Sequence, residues 1–409
     1  MTAKKLYLLI LITISIVIYG CNIVKVLDAT KDEKISFINN STKFKFFENQ
    51  IILETEYANG IKRNFLLDLG SPISIVFTDS TINNDGGGVS ISSKPRRTKS
   101  ADGKGVDRNY FNWGTIKTNL FLIENSILST INRNDLLDCN ALGGIWGADL
   151  FAPSFKGKDN KILLIRMEDS TISILDKLPN LDNWNRLNTN FNMVSHIKIN
   201  STIGNQKTAL YFDTGFSGKL LLDNKTFNKI KNEENRFFYY EGKLYGLIHS
   251  SLAGLANPDT LQTAFTDLKL SPDIYIDSIQ VVTIENMVVN ALGMEFFKQY
   301  NILVDYQKQE LYLQPNPAYK VIERNFFQSN GFKVKSLNNE EIIVVNIEKG
   351  SVAEKAGIKI GDHLISINDL LVDETASCET FRALQTIKFK PFDNEVTVRR
   401  NGEIIKFRL

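Results

Sequence analysis

Between residues 36 and 315 apolar and polar positions alternate in short runs and seldom recur at helical spacing. Gln50-Ile51-Ile52-Leu53-Glu54-Thr55-Glu56 and Asn64-Phe65-Leu66-Leu67 carry the alternation and β-branched residues of half-buried strands. Asn59-Gly60 and the Asp85-Gly86-Gly87-Gly88 cluster supply turns between them. The pattern predicts many short strands, hence a mainly β sandwich or barrel. After Pro315 and Pro317 the character changes. Gly331–Val334 opens a strand and Ile342–Ile347 reads as a buried one. Thr375–Thr386, with Phe381 and Leu384 three apart, predicts an amphipathic helix. Val396–Ile405 predicts a hairpin turning at Asn401-Gly402.

The first residues follow a different rule. Lys4 and Lys5 precede an apolar stretch, Leu6–Tyr19, too short for the roughly 20 residues of a spanning helix. It ends at Ile18-Tyr19-Gly20-Cys21, which resembles the lipobox of a bacterial lipoprotein signal. The resemblance implies cleavage after residue 20, acylation of Cys21, a tether over residues 21–35, and an exported protein held to the cell envelope by lipid. Loss of Lys4 and Lys5 takes the formal net charge from +2 to 0, so nucleic acid is not an expected partner. Cys139 and Cys378 are too few for a disulfide framework and read as structural thiols.

An internal repeat organises the middle of the chain. Leu66-Leu67-Asp68-Leu69-Gly70-Ser71 is echoed by Tyr211-Phe212-Asp213-Thr214-Gly215-Phe216, the aspartates 145 residues apart. An apolar pair and a glycine follow each: Ile145-Trp146-Gly147, then Ala291-Leu292-Gly293. Alternating stretches come next, Ile162–Leu175 in the first copy and Ile302–Leu313 in the second, with Asn180–Asn192 as a junction. Three features in one order at one period indicate duplication. A carboxylate between an apolar strand and a glycine is exposed yet firmly held. Two such loops brought together would share a proton, because close carboxylates cannot both ionise.

Both copies resemble the retropepsin-like aspartyl proteases, in the two-lobed single-chain arrangement of the pepsin-like enzymes. The resemblance implies a bilobal β-barrel fold, with lobes over residues 36–179 and 190–316. It also implies peptide hydrolysis by Asp68 and Asp213 on a peptide or protein substrate, with no cofactor or metal. Gly70, Ser71, Thr214 and Gly215 would support the catalytic loops. The family threonine that locks the loops together is Leu69 in the first copy, so half of that lock is missing. A hydroxyl at Ser71 and none at Phe216 predict that Asp68 is the more acidic carboxyl and Asp213 the protonated one. Flap candidates are Ala101–Trp113 and Phe237–Leu247, the latter with Tyr239, Tyr240 and Tyr245 over a substrate or in a core strand. Lys94–Lys99 reads as a solvated basic loop.

Glu348–Asn368, with Gly350, Gly357 and Gly361 at turns and Val352 and Ala356 seating a short helix, closely resembles the core of a bacterial PDZ domain. That implies a module over residues 320–409. A peptide terminus would lie along Gly331, Phe332 and Val334 and against Phe381 and Leu384. His196, His249 and His363 show no metal spacing, and His363 reads as structural. Two functions remain open: a lipid-tethered aspartic endopeptidase, or an inactive protease-like scaffold that binds peptides.

Overall fold

The computed structural model describes residues 30–409, except 79–87, 92–94, 100–104, 133–141, 153–158, 193–195, 234–237, 243, 247–248, 252–253, 257–260, 285–286, 321–325, 338–340, 369, 373–377, 386 and 388–393. Side chains of residues 234–261 also lie outside the description. The leader, with Cys21, and Cys139 fall outside the described residues.

The repeat in sequence is a repeat in topology. In the first half, hydrogen-bonded neighbours run Gln50–Tyr57, Lys62–Asp68, Leu142–Gly147, Ile75–Thr78, Ile127–Asn132, Gly105–Asn112. In the second they run Ile197–Ile203, Gln206–Phe212, Ala291–Leu292, Leu220–Leu221, Tyr275–Ile284, Leu261–Lys269. Each position has the same rank along the chain and the same direction relative to its neighbour. The aspartate-bearing strand is parallel to the apolar-pair strand in both. The next contact is antiparallel, and the one after that parallel.

These strands read as apolar runs because both faces are covered. Phe65, Leu67 and Leu69 enter the main core on one face, while Leu66 enters a smaller cluster on the other. Leu210 and Phe212 likewise enter the main core and Tyr211 a separate cluster. A third sheet joins the halves. Ile162–Arg166 pairs antiparallel with Tyr300–Asp305, in register Leu163↔Val304 and Leu164↔Leu303, and each strand carries its own hairpin partner outward. One core therefore runs through both halves, from Phe44 to Leu313.

The second half adds a helix, Asn224–Glu233. The Asp223 carboxylate accepts the Thr226 N–H at 2.7 Å and caps it, and Phe227 and Ile230 are its buried side chains. Arg96–Lys99 is a strand paired with Gly105–Asn112, so the expected basic loop is one arm of a hairpin. Tyr239 and Tyr240 lie on Phe238–Gly242, which pairs with Leu261–Lys269 at the edge of the second-half sheet. Tyr245 lies on Leu244–Gly246, which pairs with Asn346–Glu348 in the C-terminal module. The side chains of these three tyrosines lie outside the description.

The C-terminal module has its own core. Strands Phe332–Leu337, Glu341–Glu348, His363–Ile367, Glu395–Arg400 and Glu403–Arg408 form its sheet, with helices Val352–Ala356 and Cys378–Gln385. The expected hairpin turns at Asn401 and Gly402, at φ 52° and 87°, a pair of left-handed residues that suits the twist of a two-residue turn. Ser351 caps the short helix and Gly357, at φ 94°, ends it. Val352 is 46% exposed, so Ala353, fully buried, seats that helix instead. The buried Asp362 receives Arg400 through two bonds of 2.6 and 2.7 Å, which compensates its charge. Among the described residues no helix is long and apolar enough to cross a membrane.

Candidate active site

Asp68 and Asp213 lie at the ends of the innermost strands of the two halves. Asp68 is in register with Gly147, as Leu67 is with Trp146. In the second half Phe212 is in register with Leu292, whose carbonyl accepts the Asp213 N–H at 3.1 Å. The apolar pair and glycine that recur in sequence are thus the strand that flanks each aspartate. A Cβ on Gly147 would lie 2.5 Å from the Ile73 carbonyl carbon, and one on Gly293 2.4 Å from the carbonyl oxygens of Phe216 and Gly218. Only glycine leaves room for those loops.

The two loops meet face to face. A Cβ on Gly70 would lie 2.6 Å from Cγ of Asp213, and one on Gly215 2.4 Å from Cγ of Asp68. Neither glycine has a positive φ, so close approach and not backbone freedom requires them. Thr214, fully buried, joins the loops. Its hydroxyl donates to the Leu67 carbonyl at 2.8 Å and accepts the Leu69 N–H at 2.8 Å. Leu69 makes no return bond through its side chain, which is fully buried in the apolar core. One hydroxyl bonds to the other loop at two points.

The electrostatics of the two carboxyls differ. Each residue keeps part of its surface open to solvent and is hemmed in elsewhere. Burial, joined by the neighbouring Asp213 charge, pushes Asp68 well above the usual carboxylate range. Burial also raises Asp213, but the N–H groups of Phe216 and Gly215, both 2.9 Å from Oδ1, pull it back, as does a hydrogen bond from Asp68. Burial thus raises the proton affinity of both carboxyls. The side-chain contact on which the expected order rests is not formed at Ser71. The Ser71 hydroxyl donates to the Ile73 carbonyl at 2.8 Å, while the Ser71 N–H reaches Asp68 at 3.0 Å and the Gly70 N–H also pulls Asp68 down. Phe216 reaches Asp213 through its backbone N–H.

Two supporting residues escaped the sequence reading. The Ser74 hydroxyl donates to buried Asp149 at 2.7 Å and accepts the Gly147 N–H at 3.0 Å, which fixes the flanking strand. A signal was present: Gly147-Ala148-Asp149-Leu150-Phe151 and Gly293-Met294-Glu295-Phe296-Phe297 share an acid two residues and a phenylalanine four residues after the glycine. Among the described residues no group of three or more His, Cys, Asp or Glu could hold a metal ion.

In the C-terminal module, Phe332–Leu337 pairs on one side with Glu341–Glu348, and helix Cys378–Gln385 packs beside it. Residues 322–397 match the family model of the PDZ domain. The C-terminal module is a PDZ domain. It gives the chain a peptide-binding or regulatory element. Gly331, at φ 72°, leads into the strand beside the groove of the PDZ domain, and a Cβ there would meet Cβ of Ser351 at 2.4 Å. Phe332, Val334, Phe381 and Leu384, expected to line the peptide, are buried in the PDZ core. Phe381 is also touched from outside, by Phe47 of the first half. No curated protein matches the chain.

Proposed function

We propose that Asp68 and Asp213 form one shared-proton site that hydrolyses peptide bonds, making the chain an aspartic endopeptidase of two protease lobes with a PDZ domain. The observation that carries this reading is the mutual approach of Gly70 to Asp213 and of Gly215 to Asp68, which sets two carboxyls of raised proton affinity against each other's loops. The shared strand order of the halves supports it.

In this reading ionised Asp213 takes a proton from a water whose oxygen attacks the scissile carbonyl carbon. Protonated Asp68 gives its proton to the carbonyl oxygen, leaving a neutral tetrahedral diol. Asp213 then protonates the amide nitrogen, Asp68 recovers its proton from a diol hydroxyl, and the C–N bond breaks. Thr214 holds the loops at this distance. Lipid attachment at Cys21 would keep the enzyme at an envelope membrane, and mass spectrometry of the mature N-terminus for acyl chains tests that part.

The buried Leu69 is the one observation that favours a non-cleaving, peptide-binding scaffold. Incubation of the full chain with a peptide library from pH 4 to 8, beside Asp68→Asn and Asp213→Asn, separates the readings. Cleavage lost in both variants supports the enzyme. Cleavage that survives either change refutes the pair, and none in the wild-type chain at any pH favours the scaffold.

A further inference from the structure

A turn of the first half packs against the PDZ domain. Strand Lys45–Phe47 turns back into Gln50–Tyr57 through Glu48 and Asn49, at φ 50° and 59°. Phe47 packs on the PDZ core, with its ring edge-on to Phe381 at 6.3 Å and the Arg382 guanidinium 5.0 Å from its centre. Glu48 places both carboxylate oxygens on the Lys335 ammonium, at 3.0 and 3.1 Å. Phe381 and Arg382 belong to the helix wall, and Lys335 to the strand wall, so adjacent residues of one turn engage both walls. Among the described residues no second strand pairs with Phe332–Leu337.

We propose that this groove recognises an aromatic residue followed by an acidic one, that Phe47-Glu48 is its resident internal ligand, and that an external peptide bearing the same pair displaces the turn. Arg382 and Phe381 select the ring through cation–π and edge contacts, and Lys335 selects the carboxylate. A side chain as long as glutamate at a left-handed position is locally disfavoured, and its ion pair with Lys335 offsets that conflict.

The turn also reaches the candidate active site. The Asn49 amide donates to the Ser217 carbonyl at 3.0 Å, and Lys298 donates to its oxygen at 3.1 Å. Ser217 follows Phe216, whose N–H holds Asp213. Leu244–Gly246 forms a second bridge, by pairing with Asn346–Glu348. Displacement of the turn therefore acts on the Asp213 loop; that consequence rests on the proposed function, whereas peptide recognition does not.

The test measures binding and not cleavage. A fluorescein-labelled cyclic peptide copying residues 45–52 is titrated with the full chain and followed by anisotropy. Phe47→Ala, and separately Glu48→Gln at the turn, are expected to bind this probe at least tenfold more tightly than wild type, because each weakens the internal competitor. Lys335→Glu added to Glu48→Gln should abolish the gain, and a probe with the phenylalanines and glutamate replaced by alanine should not bind. Equal affinity of wild type and both turn variants, or binding of the alanine probe, overturns the proposal. Thermal melts of each protein identify any variant that fails to fold, and Glu48→Gln then decides.

Discussion

Set side by side, the loops Asp68–Ser71 and Asp213–Phe216 share a backbone plan and divide the work. Both end an apolar strand, both lie beside a parallel strand closed by glycine, and both press a glycine against the other loop's carboxyl. Yet Thr214 bonds to both Leu67 and Leu69 across the interface, while Leu69 fills the core. Asp213 accepts the N–H groups of Gly215 and Phe216, while Asp68 is pushed up by burial and by the Asp213 charge. Duplication supplies the symmetry that brings the carboxyls together, and divergence supplies the difference in how the two loops are held.

The largest effect tests the part of the comparison that should stay equal. Asp68→Asn and Asp213→Asn should each lower cleavage of a library-derived peptide by about 10³-fold, since either change removes the shared proton chemistry. A fall in only one of them would mean that the loops do not serve one site.

The next effect lies where the halves differ. Thr214→Val should lower unfolding stability by about 3 kcal/mol, because it leaves the buried Leu69 N–H and Leu67 carbonyl unpaired. Leu69→Ala should cost about as much by a different route, through a cavity in the core. Denaturant titrations measure both, and a cost for Thr214→Val below about 1 kcal/mol would remove the threonine from its bridging role.

The pH dependence is the third test. A carboxyl whose pKa is raised on folding holds its proton more tightly in the folded chain. Below its ordinary value of 3.8 both states are protonated and the group's stabilising contribution is fully present. As pH rises, the unfolded chain releases the proton first, so stability falls by about 1.4 kcal/mol per pH unit until the folded group ionises. Asp68→Asn should flatten this decline above pH 4, and unchanged curves would contradict the raised affinity. The smallest effect belongs to Ser71→Ala. It removes the bond to Ile73 at a cost of about 1 kcal/mol and should leave the order of the two carboxyls unchanged.

Much of this comparison is legible in the sequence because it is local. Leu66-Leu67-Asp68 and Tyr211-Phe212-Asp213 carry the same faces at the same offset, and the apolar pairs before Gly147 and Gly293 mark the strands beside them. Hydroxyl geometry is another matter. Whether Ser71 reaches Asp68 or Ile73 depends on the path of the loop, which composition does not encode. Nor does pattern reveal that Glu48 meets Lys335, 287 residues away, or that Phe47 sits on Phe381. In a strand, Phe47 reads as ordinary core, and only its neighbours in space separate a core residue from one that plugs a groove.

The most direct test of a single shared site is a carboxyl-carbon NMR titration of the full chain, wild type beside Asp213→Asn. The account predicts that wild-type Asp68 titrates well above the usual carboxylate range and above Asp213. It also predicts that Asp68 moves downward when the Asp213 charge is removed. An Asp68 titration that does not respond to Asp213→Asn, or an Asp213 that holds its proton longer than Asp68, would contradict it.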